Sequence, residues 1–292
     1  MTQAGPQLRS RAEGLAAALP PLLAQAEHLA STVMLGAHGR RRAGMGDEFW
    51  QYRPISQGDE AREIDWRRSA KSDVHFIRQK EWQAAQSVVI WVDGSRSMGF
   101  TGDTERPTKS DRARLLALAL SVLLVRAGER VGLANLGTPP RSGQLQLVRL
   151  ADALTGALSE DDYGKPQTPG LPAHARAVFL SDFMGDMEAV EAALAKAADR
   201  GVHGTLFQIL DPVEESFPFD GRTVFESMGG TLEHETLKAG DLKARYLERL
   251  AERKDRLDRL ARLSGWLYKG HHTGEGAQSA LLWLYSTLER AR

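Results

Sequence analysis

Asp93, Ser95 and Ser97 form an Asp-x-Ser-x-Ser spacing, which puts three hard oxygen side chains on one short loop. Such a set suits a magnesium-like ion, which takes few protein oxygens and keeps several waters. The triplet follows VVIWV at residues 88–92, an unbroken apolar run of the kind that makes a strand buried on both faces. Gly94 permits a tight turn after Asp93. In a parallel α/β sheet, ligands bind outside the carboxyl ends of the strands, and Asp93 falls at such an end. A second apolar run, AVFLSDF at residues 177–183, ends on Ser181 and Asp182. Taken singly, the first motif also reads as a strand–turn–helix corner, with Asp93 capping amides and the serines as turn residues. Asp182 alone reads as the cap of the next helix. Two acids at the ends of two buried strands favour the metal.

The surrounding elements must hold these residues in place. Ser110 reads as the N-cap of an apolar helix that runs to Ala127, with Asp111 at its positive end and Gly128 just past its last turn. That helix is apolar nearly all round and should be buried. VGLANL (131–136) and QLQLVRL (144–150) read as a hairpin across a Gly- and Pro-containing link, then a short helix over 151–159 and a loop over 160–173. Strand 177–182, helix 186–199 and strand 204–210 form a βαβ unit. Residues 213–239 read as an excursion over the sheet with a hairpin as its candidate form, followed by a charged helix (241–263), a strand (265–271) and a helix (277–290). Upstream, residues 7–35 read as helical, broken at Pro20 and Pro21. The adjacent His271 and His272 are read as non-ligands, since neighbours on a strand point to opposite faces.

DGSRSM after an apolar strand, with a later strand ending in an acid, resembles the metal-ion-dependent adhesion site of von Willebrand factor A domains. The resemblance implies Asp93, Ser95, Ser97 and Asp182 as ligands of magnesium, or of manganese or calcium in its place. It implies a vacant coordination position that takes an acidic side chain from a partner protein. It also implies a ligand threonine on an intervening loop. For it the chain offers Thr168, in KPQTPG, or Thr155, in what reads as a helix, and neither has the family's Gly-Gly-Thr-like context. The implied fold is α/β: a von Willebrand A-like, Rossmann-like, mostly parallel sheet with one antiparallel edge strand and helices on both faces. An N-terminal helical and aromatic extension (1–82) precedes that domain (83–292).

Residues 49–82 concentrate Phe49, Trp50, Tyr52, Trp66, Phe76 and Trp82 among charged side chains. Such a stretch suits a satellite core with arginine stems on rings, or a recognition surface rich in Trp, Tyr and Arg. Asp59 and Asp65 read as structural partners of nearby arginines. Gly-Arg-Arg, then Gly58, Asp59, Arg62, Ile64, Asp65 and Trp66, then the metal motif, resemble the DUF58 family, a bacterial domain of unknown function, over residues 38–290. That resemblance implies an adaptor or chaperone-like partner of a MoxR-type AAA+ ATPase rather than an enzyme. Candidate partner-binding residues are Arg40, Arg41, Asp59, Arg62, Asp65 and Trp66.

Composition narrows the alternatives. Of 292 residues, 42% are hydrophobic and 26% charged, as in an ordinary globular protein. Thirty-eight basic residues balance 38 acidic ones, so there is no bulk drive toward nucleic acid or anionic membrane. With no cysteine, disulfides, zinc-thiolate sites and thiol nucleophiles are excluded. No signal-peptide core and no membrane-length apolar run is seen, so a cytoplasmic protein is expected. No P-loop is present, so any ATP chemistry of that type must come from a partner. A phosphatase-like hydrolase with Asp93 as nucleophile lacks its usual second acid, since Ser95 stands there. A nucleic-acid binder using Arg40, Arg41 and Arg42 would show steep salt dependence. A solvated loop is the favoured reading of that short charge run.

Overall fold

The computed structural model describes residues 21–37, 49–56, 64–70, 74–80, 85–168, 170–227, 230 and 233–290. The chain divides into two compact units, Ala37–Ala85 and the remainder. In the smaller unit, β1 (Phe49–Pro54) pairs antiparallel with β2 (Phe76–Lys80). Between them, α2 (Trp66–Ser69) is one short turn capped by Asp65.

In the larger unit, α1 (Pro21–Ala37) is the N-terminal helix. There follow β3 (Ser87–Val92), α3 (Lys109–Arg126), β4 (Arg130–Leu133), α4 (Gln144–Leu154), β5 (Arg176–Ser181) and α5 (Met187–Ala198). The chain continues through β6 (His203–Leu210), α6 (Pro212–Ser216), a hairpin of β7 (Thr223–Glu226) and β8 (Glu233–Thr236), α7 (Ala239–Leu263), β9 (Leu267–His272) and α8 (Ala277–Arg290). No helix among the described residues is long and apolar enough to cross a membrane.

Five strands form one sheet in the order β4-β3-β5-β6-β9, and every pairing is parallel. Apolar runs without polar alternation produce strands covered on both faces. Val88, Ile90 and Val92 face a core shared with α1, α3, α4 and α8. Val89 and Trp91 face a second core with α5, Leu257 and Ala261 of α7, and Trp266. Leu23, Ala26, Ala30 and Val33 of α1 are buried in the first core, so the N-terminal helix is part of this unit.

The expected antiparallel edge strand is not found. Residues 144–150 are helical, and the link before them makes only an isolated antiparallel bridge between Val131 and Arg141. The Gln-Leu-Gln-Leu alternation mimics a strand. The burial follows the helical period instead: Leu147, Leu150, Ala151 and Leu154 are inside, whereas Leu145 is 64% exposed. The N-terminus of α3 also differs from expectation. Thr108, not Ser110, is the N-cap, and it forms a reciprocal capping box with Asp111.

The strand order creates the site. From β3 the chain steps outward to β4, then crosses back over β3 to β5 and continues the other way. The carboxyl ends of β3 and β5 therefore lie side by side where the winding reverses, the place at which open α/β sheets leave a crevice.

Candidate functional site

Asp93 follows β3 and is tied to β5 by its amide, which donates to the Leu180 carbonyl at 2.9 Å. Its Oδ1 accepts from the Ser95 amide at 2.8 Å, and its Oδ2 accepts from Ser181 Oγ at 2.6 Å. The chain then turns through a single 3-10 segment, Arg96–Gly99. Met98, fully buried in the first core, anchors that turn. The Ser95 and Ser97 hydroxyls meet at 3.2 Å. Asp93 and Ser95 are 1% exposed and Ser97 is 8% exposed.

A loop from residues 159–164 closes over this turn. The Ser159 amide donates to Gly94 O, the Arg96 amide to Asp161 O, and the Ser97 amide to Asp162 O. Arg96 and Glu160 pair above it. Gly164 packs so closely on Asp93 that a Cβ there would lie 2.1 Å from Oδ1. Thr168 lies further along, and its carbonyl accepts from the Leu171 amide. No contact among the described residues ties its side chain to Asp93, Ser95, Ser97 or Asp182. Thr155 ends α4, with its hydroxyl donating to Asp152 O.

Asp182 follows β5 and is 1% exposed. Its Oδ1 accepts from the Met184 amide at 3.0 Å, and its Oδ2 accepts from Lys109 Nζ at 2.8 Å. Lys109 is the first residue of α3 and is itself 1% exposed; its ammonium also donates to Glu214 Oε1 at 2.6 Å. Glu214 is held in turn by the capping box it makes with Asp211 at the start of α6. The structure thus brings four expected residues together, Asp93, Ser95, Ser97 and Asp182, and adds Lys109, Glu214, Ser181 and Gly164.

The electrostatics distinguish the two strand-end acids. Burial pushes the Asp93 carboxyl above the usual aspartate range, and the nearby Asp182 charge adds to this, against the hydrogen bonds from Ser181 and Ser95. Burial would lower the Lys109 ammonium, but Asp182 and Glu214 outweigh it and hold it above its ordinary value. Glu214 is raised by burial against the opposing pull of Lys109. Asp182 therefore faces a cation, whereas Asp93 takes only amide and hydroxyl donors among the described residues.

That asymmetry bears on whether a divalent ion fits. No group of three or more His, Cys, Asp or Glu side chains with metal-holding geometry occurs among the described residues. The donor set is instead two carboxylates with two hydroxyls, hard oxygens of the kind magnesium accepts alongside water. A buried carboxyl with no facing cation is the group that such an ion would neutralise. The residues fit the ion on these grounds.

Lys109, the principal addition, has a signal in the sequence. A lysine in the first turn of a helix opposes the macrodipole, so on an otherwise buried helix it implies carboxylates waiting for it. Glu214 and Gly164 carry no comparable signal, because both reach the site through tertiary packing.

Of the partner-binding candidates, Arg40, Arg41, Asp59 and Arg62 lie outside the described residues. Asp65 accepts from the Arg68 amide at 3.0 Å as the cap of α2. Trp66 is 60% exposed, with its ring 5.5 Å from that of His75. His271 is engaged with Arg112 and Glu275.

The family model described as "Protein of unknown function DUF58" matches residues 51–256, more than half of the chain. Over 230 residues the chain is 27% identical to uncharacterized proteins of Mycobacterium bovis and Mycobacterium tuberculosis, covering 73% of this chain and 70% of theirs. Among solved structures it is similar to the conserved hypothetical protein BatB from Bacteroides thetaiotaomicron, with a TM-score of 0.39 and 13% identity. It is also similar to an aerotolerance-related membrane protein from Bacteroides fragilis, with a TM-score of 0.40 and 14% identity. Each match covers 70% of this chain and 100% of the other. These two likenesses are too slight to argue from.

Proposed function

This chain belongs to the DUF58 family, and we propose that it is a non-enzymatic, metal-dependent protein-interaction domain of von Willebrand A type. Asp93, Ser95, Ser97 and Asp182 would hold magnesium, and Thr168 is not needed for the core of the site. The observation that carries the reading is Asp93: a carboxyl 1% exposed, with no cation against it among the described residues, beside two serine hydroxyls. A bound ion would supply a hard cationic position open to a partner's carboxylate. The rest is done by the chain's own groups. Ser181 and the Ser95 amide orient the Asp93 carboxyl. Lys109 fixes one oxygen of Asp182 and neutralises part of the acid cluster. The 159–164 loop holds the serine turn from above.

The partner implied by the family resemblance is a MoxR-type AAA+ ATPase, which would supply the ATP chemistry that this chain's sequence lacks. A covalent phosphatase is the weaker reading. Such a site usually places a second acid two residues after the nucleophile as its general acid, and here Ser95 stands in that position.

Calorimetric titration of the full chain with magnesium and manganese tests the site, with Asp93→Ala as the control. One saturable site in the wild type and none in the variant is the expected result. Equal heats in both would overturn the metal assignment. Co-purification with a MoxR-type ATPase, in magnesium and then in chelator, tests the function. Retention that survives both chelator and Asp93→Ala would overturn metal-dependent recognition.

A further inference from the structure

Next to the acid cluster, a cavity of about 640 Å3 opens between Phe100, α6, the β7–β8 hairpin and the first half of α7. That volume is in the range of pockets that enclose a compact ligand, roughly 300–1,000 Å3. Its apolar side is a cluster of rings. Phe217, 5% exposed, stacks on Phe225 with centroids 5.6 Å apart and packs on Tyr246 at 4.8 Å. Phe219 meets Phe225 edge-on at 5.3 Å. Phe100, Phe219, Phe225 and Tyr246 stay only half-buried, so they present ring surface to the cavity. Uncovered aromatic surface concentrated in one concavity marks a binding site rather than a core.

The charge at the cavity is one-sided. Arg245 and Arg249, one turn apart on α7, both line it and are exposed, and neither has an ion-pair partner among the described residues. Glu214 is the one carboxylate lining it, and that group is engaged by Lys109. An apolar floor with two free guanidinium groups selects a ligand with an apolar body and an adjacent carboxylate, since guanidinium pairs bidentately with that group.

We propose that this cavity seats a large aromatic or aliphatic side chain of a partner protein, whose neighbouring Asp or Glu pairs with Arg245 and Arg249. The proposal rests on the reading of the chain as a protein-interaction domain and adds a second point of contact beside the metal loop. Phe100 follows the serine turn directly, and its ring lies 5.7 Å from Lys109 Nζ. One partner segment can therefore address both places.

The test uses the full chain and three capped peptides, observed by saturation-transfer NMR: acetyl-Glu-Phe-Glu-amide, acetyl-Gln-Phe-Gln-amide and acetyl-Glu-Ala-Glu-amide. The acidic Phe peptide should bind about fivefold more tightly than its Gln counterpart, the ratio expected of an exposed charge pair. The Ala peptide should show no transfer. Leu242 also lines the cavity, and Leu242→Trp, which fills it, should abolish the Phe ring signal. The double variant Arg245→Gln, Arg249→Gln should keep the ring signal and lose the charge preference. Both arginines are exposed, so that variant decides the matter even if Leu242→Trp fails to fold. Equal binding of the acidic and Gln peptides to wild type, or an unchanged preference in the arginine double variant, overturns the proposal. The same preference is expected in magnesium and in chelator, because no proposed metal ligand lines the cavity. A preference that vanishes in chelator counts against it, while failure of the metal titration alone would overturn only the metal reading.

Discussion

Replacing Lys109 by methionine removes one charge from the buried cluster while keeping most of the side-chain volume. The side chains of Lys109 and Asp182 are each 1% exposed, and that of Glu214 is 17% exposed. In the variant, Asp182 keeps only the Met184 amide on its carboxyl among the described residues, and Glu214 keeps the Asp211 amide. Removing one member of a buried ion pair costs about 3–5 kcal/mol. Removing a cation from a helix N-terminus returns about 0.3–1 kcal/mol. The net expectation is a loss of roughly 2–5 kcal/mol, a large part of the 5–15 kcal/mol typical of a folded domain. Urea unfolding in chelator, followed by the fluorescence of Trp91 and Trp266 in the second core, reads it as a fall in midpoint at constant slope. A loss below about 0.5 kcal/mol, the size of an exposed pair, would refute the buried network.

Magnesium gives the same variant a second reading. An ion that binds only the folded chain adds about 2.7 kcal/mol at one hundred times its Kd. Lys109 and the proposed ion draw on the same Asp182 carboxyl. Magnesium should therefore stabilise Lys109→Met by more than it stabilises wild type, and equal increments would refute the sharing.

Two further perturbations address separate parts of the fold. Gly164→Ala places a Cβ 2.1 Å from Asp93 Oδ1, on a carboxyl that Ser95 and Ser181 already hold. Urea unfolding should show a loss of about 1–3 kcal/mol, with weakened magnesium heats; an unchanged variant would place the 159–164 loop elsewhere. In the first turn of α3, Arg112 Nη1 lies 2.8 Å from His271 Nε2. Guanidinium only donates, so Nε2 accepts and the proton sits on Nδ1, toward Glu275 Oε2 at 2.8 Å. Burial pushes the His271 pKa down, Arg112 adds to that, and Glu275 opposes it. The unfolded chain then binds the proton more readily than the folded one. Stability should fall as pH drops below about 6.5, by up to ~1.4 kcal/mol per pH unit. His271→Gln should flatten that slope in urea midpoints measured from pH 7.5 to 5, and an unchanged slope would assign it to another group.

The central strands and their acids were legible because burial on both faces leaves a plain trace. VVIWV is apolar without interruption and runs directly into Asp93, and AVFL reaches Asp182 one residue later, past Ser181. Residues 144–150 misled because alternation over four residues is compatible with either period. Only the later Leu150, Ala151 and Leu154 settle it as helical. The start of α3 misled for a related reason. Thr108 and Ser110 are both good caps, and Asp111 sits at the capping-box spacing only from Thr108.

Lys109 and Glu214 stand 105 residues apart in the chain, and although the position of Lys109 asks for carboxylates, nothing near it says which ones. What the pair changes is the meaning of the two acids that the sequence does announce. From spacing alone Asp93 and Asp182 are equivalent, two carboxylates at two strand ends. In the fold, Asp182 is met by an ammonium, while Asp93 is buried against hydroxyl and amide donors and held above the usual aspartate range by burial and by Asp182 itself. A carboxyl in that position holds its charge less readily than an ordinary aspartate, and a bound cation would favour its ionised form. Among the described residues, one acid is thus paired with a cation and the other with hydroxyl and amide donors alone, and the proposed ion would supply the missing positive charge.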